Sequence, residues 1–292
     1  MAAKKILITG CSGFIGRNIS EAALRKGYAV VGIDRKPCSV DGVDFRQIDI
    51  RDREGVAGAA RGADAVIHLA AITSNIEFEK SLEECYDINV NGFTSVIEAA
   101  VKNKCRKFLY ASSSAVYLDS FSEDSLIDIK KQHNHYAKTK IINEMMAQSY
   151  QDLYGIRTIG LRFFSVYGNG ENDKGNYASI ISLFSKEKAE GRPITVYGDG
   201  KQARDMINVS DVAEISLMLM EKGTEALYNV GTGKSVSYNE LAGLVGGVGV
   251  KHVENPLTSY QYLTRADTAR LKKVIGDYKF VESRDWIAGR KE

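Results

Sequence analysis

The sequence carries almost no net charge: 39 basic residues face 37 acidic ones, a formal +2. Such a balance sets up no field for nucleic acid or an anionic membrane, and the Lys and Arg residues are scattered rather than gathered in a patch. No apolar run reaches membrane-spanning length, and the run from Ile6 to Gly10 is too short for a secretory leader core. Cysteine is scarce. Cys11, Cys38, Cys85 and Cys105 stand far apart with no Cys-x-x-Cys pair, so neither a zinc motif nor a disulfide framework is implied, and a reduced cytoplasm fits best. His68, His133, His135 and His252 have no metal-ligand spacing, so no metal is expected.

What is present is a core. The 292 residues are 44% hydrophobic, enough for one large or two coupled domains. Short β-branched runs (Lys5 to Thr9, Tyr28 to Asp34, Ala65 to Leu69, Lys107 to Ala111, Arg157 to Arg162) alternate with helical stretches. The helices run to Lys26, from about Ser81 to Asn103, and from Tyr136 to Tyr154. This alternation predicts an α/β fold, a Rossmann-type doubly wound parallel sheet covered on both faces. Past Ser165 the pattern loosens into Gly- and Asn-rich turns and shorter elements. The division expected is a dinucleotide-binding domain over 1–165 and a smaller α/β substrate-binding lobe over 166–292, with a segment near 205–222 open to rejoining the first domain.

Gly10, Gly13 and Gly16 lie directly after the first strand and open the first helix. There a glycine turn lets backbone amides and the positive helix end meet a pyrophosphate. Asp34 ends the second strand, where a carboxylate accepts hydrogen bonds from both adenosine ribose hydroxyls and repels a 2′-phosphate. NAD is therefore preferred over NADP, with Arg35 and Lys36 beside it pulling the other way. Asp49 and Ile50, and His68 to Ala71, fall on the carboxyl edge of the sheet, where Leu69, Ala70 and Ala71 leave room for a cofactor.

Tyr136 and Lys140 share one face of a helix at i,i+4 spacing, with Ser112, Ser113 and Ser114 upstream. The spacing alone is weak, since Tyr197 and Lys201 repeat it; Gly198 and Gly200 make that second pair a turn.

Together these stretches, with Asn89 to Gly92, Ser112 to Tyr117, Leu161 to Gly168 and Gly198 to Asp211, resemble the extended short-chain dehydrogenase/reductase family. The similarity is to its NAD-dependent nucleotide-sugar epimerase/dehydratase branch, of UDP-glucose 4-epimerase type, and covers nearly the whole chain. The resemblance implies Ser113 as catalytic serine, Tyr136 as acid/base and Lys140 as its ribose-binding partner. It implies NAD contacts from Gly10, Gly13, Phe14, Ile15, Gly16, Asp34, Arg35, Asp49, Ile50, Leu69, Ala70, Ala71, Asn89, Ser112 and Phe163. The chemistry explains the residue types: a sugar hydroxyl must lose its proton as hydride leaves the same carbon, and a phenolate near neutral pH needs adjacent positive charge.

For the substrate, the resemblance implies Arg204 and Asn176 on a diphosphate, Tyr197 beside the base, and Thr73, Ser113, Ser165 and Thr264 about the sugar. A surface ion pair of Arg204 with Asp205 is the plainer reading. Ser165 replaces the usual Asn, and no second diphosphate Arg stands near Pro256 to Ser259. Dehydratases and decarboxylases of the branch carry an acidic residue one or two positions after the serine; here Ser114 and Ala115 stand there, which favours oxidation and re-reduction at one carbon. The expectation is a homodimeric, cytoplasmic UDP-sugar 4-epimerase acting on a hexose or N-acetylhexosamine. Left open are a net oxidoreductase (a 4-keto-sugar reductase or a threonine-dehydrogenase-like enzyme), an ADP-heptose-type epimerase, similar along Tyr260 to Asp267, and a non-catalytic dinucleotide sensor.

Overall fold

Alternation within the first strand, β1 (Lys5–Thr9), serves both layers of the fold: Ile6 and Ile8 turn to one side of the sheet and Leu7 to the other. In the computed structural model, which describes residues 4–118, 121–125, 127–171, 175, 178–255 and 261–289, β1 lies in a seven-stranded sheet. Its companions are β2 (Ala29–Asp34), β3 (Asp44–Gln47), β4 (Ala65–His68), β5 (Lys107–Ser113), β6 (Arg157–Phe163) and the strand Leu227–Val230. All pair in parallel, in the order Leu227–Val230, β6, β5, β4, β1, β2, β3.

Helix α1 (Phe14–Arg25) and helix Val209–Lys222 pack together on one face. On the other lie α2 (Arg53–Ala59), α3 (Asn75–Lys80), α4 (Leu82–Tyr86), α5 (Gly92–Lys102) and α6 (His135–Tyr154). Phe93, Phe108 and Leu109 are wholly buried between the layers, and each such side chain contributes about 1.5–3 kcal/mol. Because β1 adjoins both β2 and β4, the chain leaves the sheet centre in opposite directions and opens a crevice over the carboxyl ends of β1 and β4.

The long helix expected near Ser81 to Asn103 is there in three parts: between α4 and α5 the chain widens into a π-helical turn, Asp87–Asn91. That turn carries the buried Asn89, whose carboxamide bonds both the N–H and the carbonyl of Ile72 at 2.8 Å and donates to Thr139 Oγ1 at 3.2 Å. It thereby ties the loop after β4 to α6.

Past Phe163, three two-stranded pairs replace the regular alternation: Ser165–Tyr167 with Met206–Asn208, Ile194–Tyr197 with Val250–Val253, and Ala203–Arg204 with Val236–Ser237. They enclose a second core of Tyr167, Phe184, Ile194, Val196 and Leu241, against which Trp286 packs. Helix Val209–Lys222 belongs to the core of the large sheet. Strand Leu227–Val230 also extends that sheet, a return beyond 205–222 that so short a run does not announce. Among the described residues no helix is long and apolar enough to cross a membrane, and no three His, Cys, Asp or Glu side chains group to hold a metal ion.

Candidate active site

Glycine at three positions allows β1 to turn into α1. Gly10 has φ +72°, and a Cβ on Gly16 would stand 2.0 Å from the Gly10 carbonyl oxygen, so any side chain at Gly16 would drive the helix off the loop. The α1 N-cap is Gly13, with no side-chain cap, which leaves first-turn amides for an anion.

Beside this loop a cleft is lined by Asp34, Arg35, Asp49, Ile50, Leu69, Ala70 and Ala71, among others. Asp34 accepts from the Ser12 N–H at 3.1 Å and the Lys36 N–H at 3.0 Å, which fixes the carboxylate while leaving lone pairs for ribose hydroxyls. Asp49 is already engaged: Arg51 donates to both its oxygens, at 3.0 and 2.7 Å, and holds its carboxyl below the usual carboxylate range.

A second cleft continues from the glycine loop along Phe14, Ile15, Thr73, Ser112, Ser113, Tyr136, Lys140 and Phe163. Ser113 ends β5, and Asn134, capping α6 through the Ala137 N–H at 3.0 Å, starts the helix whose first turns present Tyr136 and Lys140. Burial pushes the Tyr136 phenol up to about 12, with Ser113 pulling the other way. Burial likewise takes the Lys140 ammonium down to about 8, against the pull of Glu144. Lys140 is 3% exposed, its Nζ 5.6 Å from the centre of the Tyr136 ring, and among the described residues none hydrogen-bonds it.

The chain alone therefore does not produce a phenolate at neutral pH. Adjacent positive charge, of the kind a nicotinamide cation carries, would favour the ionised form. The start of α1 without a side-chain cap, the glycine contacts and the Lys140 ammonium all fit a dinucleotide.

Beneath the cleft lies a polar network that sequence reasoning missed. Glu144 grips Arg162 and accepts from the Ser112 hydroxyl at 2.5 Å; Arg162 donates to the Tyr117 hydroxyl at 2.8 Å, which donates to Asn229 at 2.7 Å. The available signal was Glu144 itself, one more i+4 step along the Tyr136–Lys140 face. Gln261 was also missed: its carboxamide donates to the carbonyls of Tyr117 at 2.9 Å and Ser114 at 3.3 Å, laying the later chain against the serine turn.

Of the residues expected about the substrate, Thr73 lines this second cleft, and Ser165 opens its short strand by donating its N–H to the Asp205 carbonyl at 3.0 Å. Arg204 makes no ion pair with Asp205. It rests on the carbonyls of Ala203 at 2.9 Å and Tyr262 at 3.3 Å and over the Tyr238 ring. The fully buried Asp205 carboxylate instead accepts from Thr232 N–H and hydroxyl, Gly233 N–H and Ala266 N–H. Thr264 is 2% exposed and its hydroxyl accepts from the Asp205 N–H at 3.3 Å, which directs it to that loop. Tyr197 is exposed. Asn176 and the segment Pro256 to Ser259 lie outside the described residues.

Residues 6–231 match the NAD dependent epimerase/dehydratase family. The chain is 32% identical to a putative UDP-glucose 4-epimerase of Methanocaldococcus jannaschii over 82% of this chain and 81% of that one. It is 33% identical to a UDP-N-acetyl-alpha-D-glucosaminuronate decarboxylase of Bacillus cytotoxicus, over 82% and 78%. Among solved structures, it superposes with a TM-score of 0.88 and 25% identity on a UDP-N-acetylglucosamine 4-epimerase of Methanobrevibacter ruminantium, over 98% and 96%.

Proposed function

The chain belongs to the NAD dependent epimerase/dehydratase family, and from that premise we propose that it inverts C4 of a nucleotide sugar, a UDP-hexose or UDP-N-acetylhexosamine, through a transient 4-keto sugar. One observation carries the choice of reaction. Ser113, Tyr136 and Lys140 converge on a cleft whose lining, among the described residues, contains no carboxylate and no histidine. Elimination and decarboxylation need a group to move protons at a neighbouring carbon; this cleft offers one acid/base, suited to one carbon.

In this reading 1–165 form the cofactor domain and 166–292 mainly the substrate lobe. NAD supplies the hydride acceptor and then the donor, so there is no net redox change. Tyr136 takes the C4 hydroxyl proton, Ser113 holds the reacting oxygen by a hydrogen bond, and Lys140 donates to the nicotinamide ribose while its charge favours the phenolate. After the keto sugar turns its other face, Tyr136 returns the proton. Arg204 leaves its two backbone carbonyls for the substrate diphosphate, which offers stronger, charge-assisted acceptors.

The test is a panel of UDP-, ADP- and GDP-sugars incubated without added cofactor, with products identified by NMR and nucleotide released by acid. Interconversion of a UDP-sugar pair at C4 without net redox supports the reading. Stoichiometric change in NADH would make the protein a net oxidoreductase, turnover of an ADP-heptose alone would move the site of inversion, and bound NAD without turnover would make it a sensor. We also place the protein in the reducing cytoplasm as a homodimer pairing through the helices from Leu82 and His135: Leu82, Met145, Leu153 and Tyr154 are exposed there. A monomer by light scattering at micromolar concentration would overturn the dimer.

A further inference from the structure

The turn that follows Ser113 is held by two glutamines that reach it from different parts of the chain. Ser114–Val116 form a single 3₁₀ turn, closed by the Tyr117 N–H donating to the Ser114 carbonyl at 3.2 Å. Ser113 caps it: its hydroxyl oxygen accepts from the Ala115 N–H at 3.1 Å. A hydroxyl has one proton and two lone pairs, so this bond engages one lone pair and leaves the proton for an acceptor in the cleft. Wherever the turn goes, the serine hydroxyl goes with it.

Gln132, buried just before α6, donates from its carboxamide nitrogen to the carbonyls of Ala115 at 3.0 Å and Val116 at 3.5 Å. Its carboxamide oxygen accepts at 3.0 Å from the N–H of Asn134, the residue that caps α6. Gln261, half-buried, donates to the two carbonyls on either side, Ser114 at 3.3 Å and Tyr117 at 2.9 Å. The four consecutive carbonyls from Ser114 to Tyr117 are thus covered by two carboxamide nitrogens, each with two N–H groups to donate. Gln132 belongs to the frame that carries Tyr136. Gln261 belongs to another: the carbonyl of its neighbour Tyr262 accepts from the Ala203 N–H at 2.9 Å and from Arg204 at 3.3 Å, and the Thr264 N–H returns to the Ala203 carbonyl at 3.1 Å.

We propose that Gln261 is a positioning residue for Ser113, a clamp from the chain around Arg204 that holds the serine hydroxyl toward the reacting oxygen. Without the Gln261 donors the outer carbonyls of the turn lose their hold while Gln132 keeps the middle pair. A half-buried site lets water replace the lost bonds, so the fold survives and the alignment does not. The alignment of Ser113 therefore depends on the seating of the segment that also bears on Arg204. The effect on turnover rests on the catalytic reading of Ser113 above; the clamp itself does not.

Two variants remove the donors and keep the length of the side chain: Gln261→Met, and Gln261→Glu, whose carboxylate only accepts at pH 7. Hydrogen exchange of the amides from Ala115 to Tyr117 reads the clamp without substrate. It should quicken about tenfold in both variants with α6 unchanged, and unchanged exchange at the turn overturns the clamp. Kinetics on the UDP-sugar that the wild type converts then read the role. The kcat should fall about tenfold or more with KM within about twofold; a raised KM at unchanged kcat would place Gln261 in substrate binding and overturn the positioning role. In a Ser113→Ala background Gln261→Met should add nothing, because the group it sets is gone, and a full multiplicative loss there overturns the proposal as well. Wild-type turnover in Ser113→Ala alone would refute the catalytic reading of Ser113 and any positioning of it, while the exchange result still decides the clamp.

Discussion

Glu144 holds Arg162 with both carboxylate oxygens, at 2.8 and 2.7 Å, one helical turn beyond Lys140. The carboxylate is 10% and the guanidinium 3% exposed, so the pair is a buried charge couple lying directly under the proposed catalytic lysine. Its negative member faces two cations, which couples the fold to the charge state of the site.

Glu144→Gln should therefore act twice. The Arg162 charge loses its partner, at a cost of about 3–5 kcal/mol, read as a lower urea midpoint. The charge that supports the Lys140 ammonium also disappears, so that group falls further below about 8 and the alkaline limb of kcat/KM moves to lower pH. An unshifted limb would show that Glu144 does not act on Lys140.

Lys140 itself should cost stability. Its ammonium titrates near 8 in the fold against 10.5 in the unfolded chain, so between these values the unfolded state binds more protons and stability rises with pH. Below pH 8 the full burial cost is present, on the order of 3 kcal/mol. Lys140→Met should be inactive yet more stable at pH 7, with the difference from wild type closing between pH 8 and 10.5. Denaturant melts across that range measure it.

Tyr136→Phe removes the proposed acid/base and leaves the ring in place. Turnover should fall at least about 100-fold with NAD still retained, since the ribose contact proposed above comes from Lys140. Near-normal activity would end the assignment of Tyr136.

Arg204 and Asp205 are adjacent in sequence and should respond oppositely. Arg204→Met gives up two backbone contacts at the surface, and should raise KM for the nucleotide sugar more than tenfold with little change in melting temperature. Asp205→Ala strands the Thr232, Gly233 and Ala266 donors, each costing about 1–3 kcal/mol when buried, and should lower the melting temperature sharply. Equal destabilisation by both would mean that Arg204 is structural.

These pairs mark where sequence reading stops. The glycine turn, Asp34, and Tyr136 with Lys140 are legible because their geometry is local: a tight turn, a strand end and one i,i+4 step. The partnerships of Arg162, Tyr117 and Asn229 join β6, the turn after β5 and the strand Leu227–Val230, and only the strand order brings those together. Asp205 reads as a surface partner for Arg204 because its four real donors come from later chain.

His68 sets the acid limit. It packs against Phe93 and Phe108, and its Nδ1 lies 2.7 Å from the Thr9 hydroxyl, which also accepts from the Leu69 and Ala70 N–H groups at 3.2 Å. That hydroxyl therefore donates to Nδ1, which requires a neutral ring. Burial, with Lys140 adding to it, takes the imidazole down to about 3 from 6.5. Between these values the unfolded chain holds a proton that the native chain does not, so stability falls as pH drops from 6.5 toward 3, by up to about 5 kcal/mol. His68→Asn keeps a hydrogen-bonding group but cannot titrate. Its urea midpoint should be lower than that of wild type at pH 7 and should decline less between pH 6.5 and 4; parallel declines would show that the acid sensitivity arises elsewhere.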